Sequence, residues 1–553
     1  MGAQLLLPRA QPDWFACGGA SVTAWPVPAL LQASLMLRLA LDAAPHNFQL
    51  MLALMHCLEA LGAGSMALEL YKRCDIKQIQ HETLSYVVLP ALAQLGASDA
   101  ADEALTAVRR FEQHGLAELP EQLLLAFRKS NYPQALEFVA FERSVRHSWW
   151  HAMTSVLGAL GTWTALMSPD CLWMTSEEPE WPPSSGTLRA HPGGPSTLST
   201  ALGALRTAEG AAPAPSWAQN VLTMDASPAA LEALPDPLDL SPFEEHLPCA
   251  PARRIHGLRR TWLPLRVHVL RLLSHTLSGA DGAGGATAAA SAPPLPAHAA
   301  AQEAVDQMAA LVASVGAEAT TYEAAEGIEE VPEDWTAILA VGRLTVALLA
   351  APPDGAADAV LLAATKLVLT TTLAQCAAPL ASLRAAEGYP PSVLSTLAHL
   401  LHLTLPLLSV SAMCWAALLP GGKKKKKGAV AAAAEADDGA PDAALPASSA
   451  QPADARAAVR ETLGAIAEAV STLQVSLSAA DRRPAACVLL GSEPDEWVRC
   501  VGGAAGERAK AVASTARQAL LAALEAEGKA RLAELATSAR EVAGALKVAA
   551  KAL

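Results

Sequence analysis

Three small residues, Ala67, Ala101 and Ala135, stand at intervals of 34, and each is followed four positions later by a large one, Tyr71, Leu105 and Val139. A turn precedes each of them: Leu61-Gly62, Leu95-Gly96 and Ser130-Asn131. Gly reaches the backbone conformation that a tight turn between helices needs, and a small side chain lets two helices approach closely. Ala33 and Leu37 lie one further period upstream. A turn, a small residue and a large residue recurring at a fixed period describe stacked helical pairs, each covering its neighbour's apolar face and leaving a concave surface for a partner.

A period of 34 is that of tetratricopeptide repeats. From Leu31 to Met167 apolar residues recur at helical spacing, in segments of roughly 12 to 18 residues, with turns around Pro45, Gly62 to Gly64, Gly96 to Ser98 and Asn131 to Pro133. Roughly a fifth of the chain is Ala, the strongest intrinsic helix former, and only 4% of it is aromatic. The fold expected is all-α: tetratricopeptide-like repeats forming an α-solenoid, then a C-terminal helical bundle, with disordered Pro/Ala/Gly-rich insertions. The boundaries read as an irregular lead-in at 1–30, repeats at 31–167 and a Pro-rich connector at 168–251. A helical region at 252–419 follows, with a low-complexity loop at 279–298, then a Lys-tract and Ala-rich linker at 420–452 and C-terminal helices at 453–553.

Charge and cysteines narrow the class. A net charge of -14 argues against a surface that grips DNA. Nine Cys without close pairing describe reduced, buried thiols in a cytoplasmic protein, not a disulfide framework. The start lacks a basic region ahead of a sustained apolar run, and Leu6 stands where myristoylation after Gly2 needs Ser or Thr.

Strings with a catalytic look resolve into structural ones. Arg499-Cys-Val-Gly502-Gly503-Ala504 matches a turn that cradles the pyrophosphate of coenzyme A, yet no strand precedes it, so it reads as a Gly-rich turn. His399 and His402 share a helical face without a nearby carboxylate, which makes them core histidines and not metal ligands. His147, Ser148 and His151 lack both a nucleophile elbow and an ordered carboxylate. Trp149 and Trp150 beside them pack the end of the repeat stack. No catalytic residue, cofactor site or metal site is expected.

One block carries a family resemblance. The run Leu70-Tyr71-Lys-Arg-Cys-Asp75-Ile-Lys77-Gln-Ile79-Gln80-His81-Glu-Thr83-Leu84-Ser-Tyr86 resembles a turn-and-helix segment of the auxiliary, non-catalytic subunit of the N-terminal acetyltransferase B (NatB) complex. Ala126 to Arg143 resembles that family's next repeat, and the tract Lys423, Lys424, Lys425, Lys426 and Lys427 sits where family members carry lysines after an apolar helix. The resemblance is good over 46–152 and faint but in order from Trp262 onward, and it corresponds to the C-terminal half of such a subunit. It implies a scaffold for a small acetyltransferase that modifies nascent chains beginning Met-Asp, Met-Glu, Met-Asn or Met-Gln. Asp75, Lys77, Gln80 and His81 are the candidate partner-binding residues; Asp75, Gln80 and His81 either cap a turn or touch the partner, whereas Ile79, Leu84 and Tyr86 read as core.

Two features stay open at this level. The lysine tract is either a contact for ribosomal RNA phosphates or a solvated loop, and Arg253, Arg254, Arg259, Arg260, Arg266 and Arg271 around Trp262 either meet acidic partner residues or face water. A rival reading is a membrane span near 393–419, followed by the lysines that a positive-inside pattern wants. His399, His402 and Pro406 within that run, and equally apolar neighbours, fit a buried bundle instead, so no membrane is expected. An unrelated tetratricopeptide adaptor is the other alternative.

Overall fold

The computed structural model describes residues 27–166, 224–239, 258–281, 297–326, 333–350, 359–384, 388–418, 453–479, 483–492 and 507–553. The lysine tract, the Arg499–Ala504 turn, Arg253, Arg254 and most of the lead-in, connector and linkers lie outside the described residues. Among those described, secondary structure is helical apart from one isolated bridge between Tyr389 and Pro484.

The repeats begin with α1 (Val27–Ala43), α2 (Phe48–Ala60) and α3 (Gly64–Arg73). Next come α4 (Gln80–Leu84), a 3₁₀ turn (Ser85–Val87) and α5 (Leu89–Gln94). α6 (Ser98–Arg128), α7 (Tyr132–Arg146) and α8 (Trp149–Leu166) complete the block. The 34-residue period has a specific embodiment. Gly62, Gly96 and Ser130 each adopt a left-handed backbone, with φ of 79°, 68° and 55°. After each, the next N–H returns to the carbonyl five residues earlier: Ala63 to Leu58 at 2.8 Å, Ala97 to Leu92 at 2.9 Å, Asn131 to Ala126 at 2.9 Å. This is the Schellman closure of a helix C-terminus.

Helix lengths depart from expectation in both directions: α3, α4 and α5 are shorter, at 10, 5 and 6 residues. α6 runs 31 residues without a break, through Gly115 and Pro120, where two helices of a regular repeat would fit. Besides α5 and α7, its neighbours in sequence, it packs on α3, α4 and α8, whereas α7 packs extensively on α6 alone among the described helices.

After the repeats come α9 (Pro228–Glu232), α10 (Leu263–Asp281), α11 (Ala297–Glu326), α12 (Glu333–Ala350) and α13 (Ala359–Arg384). The chain continues with α14 (Pro391–His399), α15 (Leu405–Leu418), α16 (Ala453–Leu477), α17 (Ala485–Ser492) and the 46-residue α18 (Glu507–Ala552). α16 and α18 form the most extensive helix pair, and α18 also packs on α1, α3 and α15. The C-terminal helices therefore cover the repeats, and one apolar cluster runs from Leu30 to Leu553. A Cβ at Gly96 would stand 2.9 Å from Ala398 and 3.1 Å from Leu535, so this glycine serves both its turn and the helices above it.

The run read as a rival membrane span is core here. Pro391–Met413 is long and apolar enough to cross a bilayer, but 78% of that window is buried among other helices; Val360–Leu383, equally apolar, is 33% buried. Within the buried run His402 Nε2 lies 3.0 Å from Ser538 Oγ, and burial pushes its pKa down to about 4. Burial likewise pushes the Cys57, Cys376 and Cys487 thiols up to about 12, and none of the three is in a disulfide.

Candidate partner-binding site

The segment Asp75–Tyr86 leaves α3 by a sharp reversal. Asp75 is left-handed at φ 54°, and Gln78 three residues later is left-handed at 49°. Asp tolerates that region because its short side chain bonds locally, whereas Gln does so less readily. Two such residues in one exposed loop mark a backbone held in place by its surroundings.

The loop's outer surface carries the candidate residues. Asp75, Lys77 and Gln80 are exposed. Lys77 Nζ lies 2.5 Å from Asp75 Oδ2, and the Lys77 backbone N–H donates to Gln80 Oε1 at 3.0 Å. Gln80 thus closes the turn, the first of the two sequence alternatives, and is exposed. His81 is half-buried; its Nδ1 has no hydrogen-bond partner and burial lowers its pKa. Ile79 corrects the sequence reading: it is 46% exposed, not core, because the turn at Gln78 rotates it outward. Leu84 and Tyr86 are buried as expected.

Beneath this loop lies a polar clamp. Glu82 is only 1% exposed. The Ser148 hydroxyl bonds its Oε1 at 3.2 Å, and the same Oγ accepts the His151 backbone N–H at 2.9 Å, capping α8. The His151 ring meets Glu112: its Nδ1 lies 2.9 Å from Glu112 Oε1. Ser148 is therefore engaged in a helix cap and the His151 ring in a contact with Glu112, in place of a nucleophile and its base. Desolvation, aided by the nearby Glu112 charge, pushes the Glu82 carboxyl up to about 8, with His151 and Ser148 opposing.

Trp149 and Trp150 are fully buried and meet edge to face at 5.4 Å, and the Trp150 indole N–H donates to Ser85 Oγ at 3.0 Å. Residues 224–239 then cross the far side of the segment. The Tyr86 hydroxyl donates to the Asp239 carbonyl at 2.9 Å, and the Asp239 N–H donates to the Thr83 carbonyl at 3.1 Å. Arg259 fixes this strap through bonds to the carbonyls of Leu231 at 2.8 Å and Leu234 at 2.6 Å, while its guanidinium lies over Trp149 at 5.6 Å. Arg271 reaches the Met224 carbonyl, and Arg266 stacks 3.6 Å over Trp262. Three of the arginines left open by the sequence are thus structural ties. No group of three metal-ligating side chains is found among the described residues.

Reasoning from sequence missed the clamp and the strap. Glu82 and Glu112 resemble ordinary helix-surface carboxylates in an Ala-rich text, and the strap has no periodicity; Trp149-Trp150 beside Ser148 was the one signal that something aromatic and capped closes this end.

Residues 20–159 match the family described as the N-acetyltransferase B complex (NatB) non catalytic subunit. The chain is 31% identical over 119 residues to the N-terminal acetyltransferase B complex auxiliary subunit NAA25 of Arabidopsis thaliana, which is 22% of this chain and 11% of that protein. It is 29% identical over 146 residues to the N-alpha-acetyltransferase 25, NatB auxiliary subunit, of Homo sapiens, covering 26% of this chain and 14% of the relative. The alignments with the curated relatives thus span about an eighth of their length. A chain in a solved structure, the NatB acetyltransferase complex bound to CoA and MES, aligns over 91% of this chain and 50% of its own, with a TM-score of 0.42 and 11% identity.

Proposed function

We propose that this chain, whose residues 20–159 match the family of NatB non-catalytic subunits, is an auxiliary scaffold that binds the catalytic acetyltransferase subunit and transfers no acetyl group itself. The observation that carries this reading is the outward loop Asp75–Gln80, which lies inside the matched residues. A scaffold needs contact residues set on a rigid base, so that little ordering entropy is lost on binding. Asp75, Lys77, Ile79 and Gln80 have that base: Glu82, Ser85 and Tyr86 immediately behind them are tied to α8 and to the strap. Ile79 supplies an apolar anchor and the Asp75–Lys77 pair a polar rim, the usual anatomy of a small contact patch.

In this reading the assembly acts in the cytoplasm on emerging chains beginning Met-Asp, Met-Glu, Met-Asn or Met-Gln. Lys423 to Lys427 would contact ribosomal RNA through counterion release, which makes ribosome binding steeply salt-dependent. Co-expression with a NatB catalytic subunit and affinity capture test the core of the reading. Ile79→Asp with Lys77→Glu leaves every loop hydrogen bond to the Gln80 side chain in place and is expected to weaken capture at least tenfold, about 1.4 kcal/mol. Equal capture by the double variant, or acetyl transfer by the purified chain alone, refutes it.

A further inference from the structure

Half of the large apolar side chains left exposed among the described residues lie in one hairpin. Leu124, Leu125, Phe127, Tyr132, Leu136 and Val139 are between 44% and 71% exposed, six of twelve such residues, all within the end of α6 and the start of α7. Their spacing is that of a helix contact stripe. Leu124 and Phe127 are three apart on α6; Tyr132, Leu136 and Val139 are four and three apart on α7. Phe127 and Tyr132 join the two halves edge to face at 6.0 Å.

The two earlier turns of the same period are covered. The turns at Gly62 and Gly96 sit under Pro391 and Ala398 of α14, and Gly96 under Leu535 of α18 as well. The third turn, at Ser130, is exposed, and α7 beyond it has no extensive helix contact but α6 among the described residues. An isolated pair of helices buries one seam and leaves its other apolar faces wet, whereas four helices enclose a core.

Charge along the arm selects the occupant. Toward its base α6 exposes Glu118 and Glu121; at the tip stand Arg128 and Lys129, about 15 Å further along the helix. Glu142 and Arg143 near the base of α7 offset each other, and Glu137, exposed beside Leu136, stands between the two ends. We propose that this arm pairs with the arm of a second copy of the chain, antiparallel, so that the two hairpins close as a four-helix bundle over the Leu124–Leu136 stripe. A two-fold axis brings each basic tip against the partner's acidic base, making the surface complementary to itself as an isologous contact requires. A parallel pairing would set tip on tip. The acetyltransferase contact proposed above lies on a different loop, so the two ideas fail independently.

Light scattering on the purified full-length chain across a range of concentrations tests the proposal. Twice the 57.2 kDa chain mass is expected, with a micromolar or tighter dissociation constant. Leu136→Glu should raise that constant at least tenfold without altering helical content, since the side chain is exposed in the protomer. Should that variant misfold, charge reversal decides: Glu121→Lys weakens association and Glu121→Lys with Arg128→Glu restores it. A monomer at the highest concentration overturns the proposal. So does a dimer indifferent to both changes, or an arm covered by the acetyltransferase partner alone.

Discussion

Ser130 occupies a left-handed position that Gly fills at both earlier turns, and a side chain there costs roughly 1 kcal/mol. Ser130→Gly is expected to raise stability by up to about that amount, measured by denaturant unfolding. Gly96→Ala has the opposite fate. It meets the same backbone penalty, and its new Cβ would press to 2.9 Å against Ala398, so a loss of more than about 2 kcal/mol is expected. Equal effects at the two sites would mean that the turn alone, and not the helices stacked on it, governs glycine here. The contrast explains why the period was readable from Gly62, Gly96 and the small residues, while the third turn had to be inferred from Asn131 and Pro133. Ile79 shows the limit of such reading: an apolar residue beside a helix looks like core until a left-handed neighbour turns it outward.

At the level of elements, the buried clamp between α4, α6 and α8 predicts a pH dependence. Glu82 holds its proton up to about pH 8, against an ordinary value of 4.5. The stability it contributes is complete below 4.5 and is lost as pH rises through 8, because the unfolded chain releases the proton first. Glu534, pushed up to about 7 by burial, acts in the same direction. Thermal melts from pH 6 to pH 9 should therefore show a falling Tm, and Glu82→Gln should reduce that fall by about 3 °C or more; an unchanged slope would assign the effect elsewhere. Neither the clamp nor the continuous α6 was legible in sequence. Pro120 and Gly115 look like punctuation, yet Pro costs a helix only one donor and a local clash when the surrounding packing holds its axis. The strap was illegible for a different reason: it is held by backbone carbonyls and Arg259, which leave no pattern in side-chain type.

Across the whole molecule, the expectation of a solenoid followed by a bundle misses how the two meet. α3 has no side-chain cap of its own; the Ser65 N–H instead donates to Glu527 Oε1 of α18 at 2.9 Å. Glu527 is paired in turn with Arg531 at 3.3 Å, both nearly buried. A carboxylate at a helix N-terminus satisfies free N–H groups and meets the favourable end of the helix dipole. With one core shared throughout, heating should give a single cooperative transition. Leu535→Ala, truncating a fully buried side chain of α18 near Gly96, is expected to cost about 2–5 kcal/mol and to lower that single transition as a whole. Two separable transitions, with only one displaced, would show the halves to be independent.

The Ser65–Glu527 bond joins residues 462 positions apart. During synthesis at about 5–20 residues per second, α3 emerges on the order of a minute before α18, which caps it; the repeats around it wait as long. For that interval their apolar flank is bare, and vectorial folding stalls short of its end state. A nascent chain arrested before α18 should therefore be sensitive to protease and bound by chaperones, and should become resistant only once α18 has left the exit tunnel.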